Sequence, residues 1–304
     1  MRRRLRRRAQ ILGILQISTI WDYNLIAQDE GGEMLKRVVA LSLLILLPVV
    51  SFNAKGKPIS ISKKELREYF ADEKVVELIL AANKGDIKKI DSLVSQGADV
   101  NYIGKDNVTP LIAAFSSLNI KGFKRLLEHG ANPNIATSEG ESVIWFAAMG
   151  GEISKETLPF LELCLQHGGD PNWVFRKRYE DGVNHFDDGR PLFAAVIMYN
   201  EKAMEALKLL LNAGADINIK DKNGDNALFY AASGHYDILL YLLQNGIDYT
   251  AKDNYGNNFI WSLERFPTIA NGDDKEMAKQ REWKKKVIEW LKEKGIEVHL
   301  KYPD

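Results

Sequence analysis

The sequence predicts an all-α solenoid of about six helix–turn–helix units. The first observation behind this prediction is a repeated phrase, a glycine followed four residues later by a polar residue, which recurs at roughly 32- to 49-residue intervals. The second is the helical spacing of apolar residues between these phrases. The third is a set of helix-capping signals at the unit boundaries. An interval of about 33 residues is typical of stacked units that bury their apolar faces against one another. The phrase begins at Gly97, Gly130, Gly168, Gly214, Gly246 and Gly295.

The array is predicted to begin with capping helices. Residues 62–70 form a short amphipathic helix in this interpretation, because Ser62 is followed three residues later by Glu65, which is the capping-box pattern. Residues 73–84 and 86–95 are expected to form a first helical pair. We therefore assign residues 55–72 to a cap helix with its linker, and residues 73–304 to the repeat domain.

The second unit shows why each unit is expected to be a helical pair. Thr109 precedes Pro110 at a first helical position, where a proline costs no hydrogen bond. A second helix is predicted over 121–129, and Gly130 ends it because glycine enters the left-handed conformation without steric cost. At the far end, residues 275–294 predict a long helix with one apolar face and a polar outer face, as a terminal unit requires.

A short motif at the start of each unit indicates a family. Residues 109–114 read Thr-Pro-Leu-Ile-Ala-Ala, and degenerate copies occur at 142–147, 191–195, 226–231 and 258–263. This pattern resembles the Thr-Pro-Leu-His-x-Ala signature of the ankyrin-repeat family over roughly residues 75–300. The resemblance implies an ankyrin-repeat solenoid that binds proteins.

This sequence departs from the family signature in one consistent way. In the family, the signature histidine bonds the backbone of neighbouring turns. Here that position holds only bulky apolar residues, so turn-to-turn hydrogen bonding is in question and apolar packing is the alternative. The residues at this position are Ile112, Trp145, Phe193, Phe229 and Trp261.

The largest insertion between units lies at 173–190, where ankyrin arrays carry a hairpin finger. It is roughly a dozen residues longer than the corresponding segments of the other repeats. Asp181-Gly182 is a tight-turn signal between two arms that carry aromatic residues. Aromatic residues and arginine are the types enriched at binding hot spots. The predicted partner contacts in this extended hairpin finger are Trp173, Phe175, Arg176, Arg178, Tyr179, His185 and Phe186. The alternative is that the finger folds back and packs on adjacent units.

Composition and motifs argue against several classes of function. Of the 41 basic and 41 acidic residues, residues 1–54 hold eight and four, so residues 55–304 are mildly acidic, with 33 and 37. A body of this charge lacks the basic surface that nucleic acid requires. The only cysteine, Cys164, lies in an apolar helical run and is expected to be a buried core residue.

Catalytic signals are weak as well. The sequence contains no Gly-x-Ser-x-Gly elbow, no phosphate-binding glycine loop and no His-Glu-x-x-His motif. His185, with Asp187 and Asp188 nearby, is a minor candidate for a metal site within one loop. We expect a protein that is not an enzyme and that has no cofactor and no metal.

The N-terminus divides into two segments. Met34 opens a short basic start, an uncharged apolar run at 38–50 and small residues after it, which together predict a secretory signal peptide over 34–54. A membrane-spanning helix needs about 20 apolar residues, so membrane contact is expected only through this segment. Residues 1–33 are interpreted as a leader upstream of the true start at Met34, and a twin-arginine export signal at Arg7 and Arg8 is the competing interpretation.

These features together predict an exported binding protein in the bacterial periplasm. Its layout resembles that of periplasmic ankyrin proteins of Gram-negative bacteria, some of which neutralise toxins delivered by type VI secretion, including phospholipases. The resemblance implies an immunity protein that occludes a cognate effector, such as a phospholipase-type toxin, through its concave face. A scaffold or assembly factor for a resident periplasmic enzyme is the alternative.

Overall fold

The computed structural model describes residues 61–138, 140–149, 154–174, 190–197, 202–265 and 274–301. Within these ranges the chain is helical, with one isolated β-bridge between Ala136 and Ser142 and no strand. The chain divides into two compact units, Met1–Trp173 and Val174–Asp304. From here on, the first unit and the second unit are these two parts of the chain, and each helix–turn–helix pair is called a repeat. The prediction of an all-α repeat fold is therefore confirmed, while the predicted segments 1–33 and 34–54 lie outside the described residues.

The first unit has a cap helix followed by three helical pairs. A 3₁₀ turn, Lys105–Asn107, lies between the first and second pairs. The helices are α1 Lys63–Tyr69, α2 Glu73–Lys84, α3 Ile87–Ser95, α4 Pro110–Phe115, α5 Ile120–Glu128, α6 Val143–Met149 and α7 Ser154–Gln166.

The second unit continues the pattern with two further pairs and a final pair whose second helix is long. In the described ranges its helices are α8 Pro191–Ile197, α9 Ala203–Asn212, α10 Ala227–Ala231, α11 Tyr236–Gln244, α12 Phe259–Arg265 and α13 Asp274–Glu293. The last of these corresponds to the terminal helix predicted over 275–294.

The helix boundaries follow from the capping residues that the sequence displays. Ser62 and Glu65 form the predicted capping box, in which the Ser62 backbone N donates to Glu65 Oε2 at 2.7 Å and the Glu65 backbone N donates to Ser62 Oγ at 3.3 Å. Thr109 Oγ1 accepts a bond of 3.2 Å from the backbone N of Ile112, ahead of Pro110 at the first helical position. Gly130 follows α5 with a φ of 84°, as the left-handed position requires.

The core of the first unit contains an aromatic cluster shared by its second and third helical pairs. The ring centroids of Phe115 and Phe160 lie 5.3 Å apart, and those of Phe123 and Phe160 lie 4.9 Å apart, both edge-to-face. The ring of Phe146 stacks on that of Phe115 at 6.5 Å. All four rings are buried, as is Cys164 on α7, which confirms the prediction that this cysteine is a core residue.

The core of the second unit holds large side chains from successive repeats. Phe193, Tyr236 and Phe259 are at most 1% exposed. Helix α13 packs on α11 and buries Val287 and Leu291. Its other faces are mainly charged, which agrees with the expectation for the last element of a repeat array.

Candidate partner-binding surface

The repeated phrase forms a turn in which a carboxylate or amide holds the backbone. Asp99 Oδ1 accepts from the backbone N of Asn101 at 2.8 Å, and Asp216 Oδ1 accepts from the backbone N of Asn218 at 2.9 Å. The same Asx turn recurs at each phrase within 97–250. Asn and Asp are suited to this position because their short side chains reach the backbone two residues on.

Asparagine side chains at the end of the phrase join neighbouring turns in the first unit. Asn101 Nδ2 donates to the Gly130 carbonyl at 2.9 Å, and Asn101 Oδ1 accepts from the backbone N of Asn132 at 2.7 Å. Asn134 repeats this arrangement with the Gly168 carbonyl at 2.8 Å and the Asp170 backbone N at 2.7 Å. Each amide therefore satisfies both a donor and an acceptor of the next turn.

The missing signature histidine therefore does not leave the turns unconnected. In the second unit too, Asn218 Oδ1 accepts from the backbone N of Asp248 at 2.7 Å. Of the apolar residues that replace the histidine, Ile112 and Phe193 are buried, whereas Trp261 is 40% exposed. Packing thus takes over only at some of these positions, and asparagine carries the turn-to-turn bonds.

Two adjacent hairpins of the second unit, 221–225 and 253–257, are held by the same device. Asp221 Oδ1 accepts from the backbone N atoms of Asn223 and Asp225, both at 2.8 Å. Asp253 Oδ1 accepts from the backbone N atoms of Tyr255 and Asn257, again at 2.8 Å. Each hairpin therefore has its shape fixed by one carboxylate.

The two hairpins are also bonded to each other. The backbone N of Asn254 donates to the Asn223 carbonyl at 2.8 Å, and Asn254 Nδ2 donates to the Lys222 carbonyl at 2.8 Å. Gly224, with a φ of 83°, lies so close that a Cβ there would be 2.9 Å from Asn254 Oδ1. The paired hairpins 221–225 and 253–257 form a preorganised surface, which we call the paired-hairpin surface.

Two features of the paired-hairpin surface are not accounted for by packing. The Tyr255 ring is 82% exposed at the tip of its hairpin. Burial, together with the neighbouring carboxylates of Asp221 and Asp253, raises the pKa of Asp225 to about 7. Tyrosine is enriched at protein-binding hot spots, and a carboxylate whose pKa is raised by burial and by like charges is stabilised by a cation brought beside it.

Of the seven predicted finger contacts, the described residues include Trp173. Its side chain is half-buried, and Trp173 Nε1 donates to the Gly140 carbonyl at 3.3 Å, on the preceding turn. The other six, Phe175, Arg176, Arg178, Tyr179, His185 and Phe186, lie outside the described residues, as do Asp187 and Asp188. The prediction that the finger binds a partner remains a prediction.

Two histidines of the described ranges, His129 and His235, have structural surroundings. His235 is 3% exposed, and burial lowers the pKa of its imidazole to about 4. His129 Nε2 lies 2.7 Å from Asp91 Oδ1, which also accepts from Arg125 Nε at 2.6 Å. In the described part of the chain, no group of His, Cys, Asp and Glu is arranged to hold a metal ion. Nor does that part include a helix long and apolar enough to cross a bilayer.

Comparison with known proteins gives relatives that share the repeat. The ankyrin repeat protein L371 of Acanthamoeba polyphaga mimivirus is 26% identical over 217 residues, which cover 71% of this chain and 26% of that protein. The chain thus spans about a quarter of the length of this curated relative. An ankyrin repeat domain from Acinetobacter baumannii is 22% identical, with a TM-score of 0.51, over 72% of this chain and 98% of its own, which shows a shared fold.

A further solved structure is the predatory endopeptidase of Bdellovibrio bacteriovorus in complex with an immunity protein. A chain of that complex is 21% identical over 69% of this chain and 97% of its own, with a TM-score of 0.49. The family model described as "Ankyrin repeats (3 copies)" matches residues 78–172 and 154–253, more than half of the sequence. The chain therefore belongs to the ankyrin-repeat family.

Proposed function

We propose that this chain is an exported, non-catalytic ankyrin-repeat protein that neutralises a cognate effector by binding it and covering its active site. The ankyrin repeat is a protein-binding scaffold, and the repeated phrase that marks its turns occurs at least five times in succession in this chain. The effector, a periplasmic toxin such as a phospholipase, and the export of the chain are parts of the proposal.

The observation that carries the proposal is the preorganisation of the turns and hairpins. The backbone N–H groups of the two hairpins are bonded to Asp221 and Asp253 before any partner arrives. Ordering a loop on binding costs free energy. A surface that is already ordered avoids this cost and therefore binds more tightly for the same contacts. An inhibitor that acts by occlusion depends on such a surface, because it contributes no chemistry of its own.

The proposed export rests on the apolar run at 38–50 behind a basic start. A C-terminally tagged full chain is expected in the periplasmic fraction of a Gram-negative host. The matched control carries Leu43→Arg and Leu46→Arg within the run and is expected to stay in the cytosol. Equal distribution of the two proteins between the fractions would contradict export through this segment.

The proposed neutralisation is tested by toxicity in cells. The full chain is co-expressed with the effector or other toxin encoded beside its gene, with that effector directed to the periplasm. We expect growth to be restored by the full chain and not by the control with the two arginines. Survival without complex formation, or a captured partner whose activity the chain preserves, would contradict neutralisation, and the second result would favour the scaffold function.

A further inference from the structure

The paired-hairpin surface combines an uncovered aromatic ring with an uncompensated carboxylate. Tyr255 is 82% exposed, and among the described residues its side chain makes no hydrogen bond, ion pair or ring contact. The other exposed aromatic of this repeat, Trp261, is partly covered, because the Arg265 guanidinium lies 4.9 Å from its ring centroid. Of the two exposed aromatic side chains that the described residues of the second unit contain, Tyr255 is therefore the less covered.

The carboxylate of Asp225 differs from those of Asp221 and Asp253. Asp221 accepts from two backbone N atoms and, at its Oδ2, from the Tyr230 hydroxyl at 2.7 Å. Asp253 accepts from two backbone N atoms and, at its Oδ2, from Asn257 Nδ2 at 3.2 Å. These two are fully used in shaping the hairpins. Among the described residues, the Asp225 side chain has no hydrogen bond and no ion pair, and it is half-buried beside both of them.

Within the part of the chain that the structure describes, Asp225 forms no ion pair with a lysine of the hairpin region. Lys220, Lys222 and Lys252 are exposed, and Lys220 Nζ donates to the Lys252 carbonyl at 3.3 Å instead. A half-buried carboxylate close to two other carboxylates is stabilised most by a cation brought beside it. Arginine is especially suited to this position, because its planar guanidinium binds carboxylates in two-point fashion and also stacks on a tyrosine ring.

We propose that the paired-hairpin surface docks a segment of the protein partner that presents an arginine or lysine to Asp225 and packs against Tyr255. This inference rests on the proposed function and states the chemistry that the partner brings. Charge complementarity sets the occupant, since a neutral or acidic segment would leave Asp225 desolvated without compensation.

The test uses peptides, so that it does not depend on knowing the effector. A phage-displayed library of random dodecapeptides is selected on the full chain, in parallel with its Asp225→Asn variant. Asparagine keeps the shape of aspartate and removes the charge. We expect peptides enriched on the wild-type chain to carry an excess of arginine or lysine, and the variant to lose this preference.

Affinities of the selected peptides then test each residue. We expect Asp225→Asn and Tyr255→Ala each to weaken binding about tenfold. The matched control is Glu282→Gln, which removes an exposed carboxylate on α13 and is expected to change affinity less than about twofold. Replacing the peptide arginine with glutamate should abolish binding to the wild-type chain and be partly rescued by Asp225→Lys. Circular dichroism of each variant separates a lost contact from a lost fold.

Several results would overturn the proposal. They are selected peptides without an excess of basic residues, equal affinity for wild-type and Asp225→Asn chains, or the absence of any enriched peptide. Self-association that Asp225→Asn abolishes would also overturn it, because a second copy would then be the occupant.

Failure of the proposed function gives a different result. If the effector does not bind the chain at all, the neutralisation proposal fails. If it binds wild-type and Asp225→Asn chains equally, only the present inference fails.

Discussion

Gly122 allows α5 to approach α2 more closely than any other residue would permit. It lies in the first turn of α5, buried against the backbone of Ala82. A Cβ built at this position lies 1.9 Å from the Ala82 carbonyl oxygen and 2.6 Å from its carbonyl carbon, where 3.4–4 Å is ordinary contact. Because both sides of the clash are helix backbone, no side-chain rotation relieves it, and Gly122→Ala must push the two helices apart.

The expected cost follows from two opposing effects. Alanine in a helix is favoured over glycine by about 1 kcal/mol. Overpacking a well-packed core costs about 1–3 kcal/mol and sometimes more, and this clash of two backbones belongs at the upper end. The shift also strains the C-cap of α2, where the Gly85 backbone N bonds the Ala82 carbonyl at 2.9 Å. We expect a net loss of about 2–3 kcal/mol, equivalent to a fall in melting temperature of roughly 4–12 °C.

The assay is unfolding of the full chain, followed by circular dichroism in heat and in urea. The matched control is Gly97→Ala, at a φ of +88° with no atom within 4 Å of the new Cβ, where only backbone strain of about 1 kcal/mol is expected. If Gly122→Ala is as stable as the wild type, or loses less than Gly97→Ala, then α2 and α5 do not pack as described.

Three further outcomes are expected. Asn134→Ala removes the bonds to the Gly168 carbonyl and the Asp170 backbone N, and should cost about 1–2 kcal/mol in urea unfolding; no loss would show that these turn-to-turn bonds do not stabilise the array. Asp225 has a folded pKa of about 7, above its unfolded value, so its protonated form stabilises the fold and stability falls as pH rises from about 4 to 7. After allowance for solvent screening, Asp225→Asn should therefore gain about 1–2 kcal/mol at pH 8 and little at pH 4, and an equal effect at both pH values would refute the cause given for the raised pKa. Burial raises the pKa of the Cys164 thiol, so Ellman's reagent should modify it only after unfolding; rapid modification of the native chain would contradict its place in the core.

The parts of the fold that local chemistry dictates were predictable from the sequence. Ser62, Thr109 and Gly130 mark helix ends through bonds to residues at most four positions away, and the structure places helix ends beside each of them. The burial of Cys164 likewise followed from its apolar helical surroundings.

Contacts between neighbouring repeats were harder to predict, because they depend on how the repeats pack against one another. The recurrence of asparagine in the phrase was visible, yet its role appears only when Asn134 meets the turn at Gly168, 34 residues further on. From the sequence, Gly122 is expected only to weaken its helix. Its role in packing becomes visible when the structure places the Ala82 backbone of α2 directly against it.

The candidate site shows the same division. The insertion at 173–190 is conspicuous in the sequence because it is long and rich in aromatic residues, whereas the paired-hairpin surface lies in repeats of ordinary length. The signal that could have found it is the repeat of Asp-x-x-Gly at 221–224 and 253–256, with Tyr255 inside the second copy. Sequence alone does not reveal that, within the described residues, the Asp225 side chain makes no hydrogen bond or ion pair.

The most direct test of the central claim is a titration of the purified full chain into its purified effector, with binding heat and effector activity measured on the same samples. We expect a complex of one chain with one effector and loss of effector activity at equal concentrations. Binding that leaves the effector fully active, or no binding at concentrations where activity is measured, would contradict the claim that this ankyrin-repeat chain acts by occlusion.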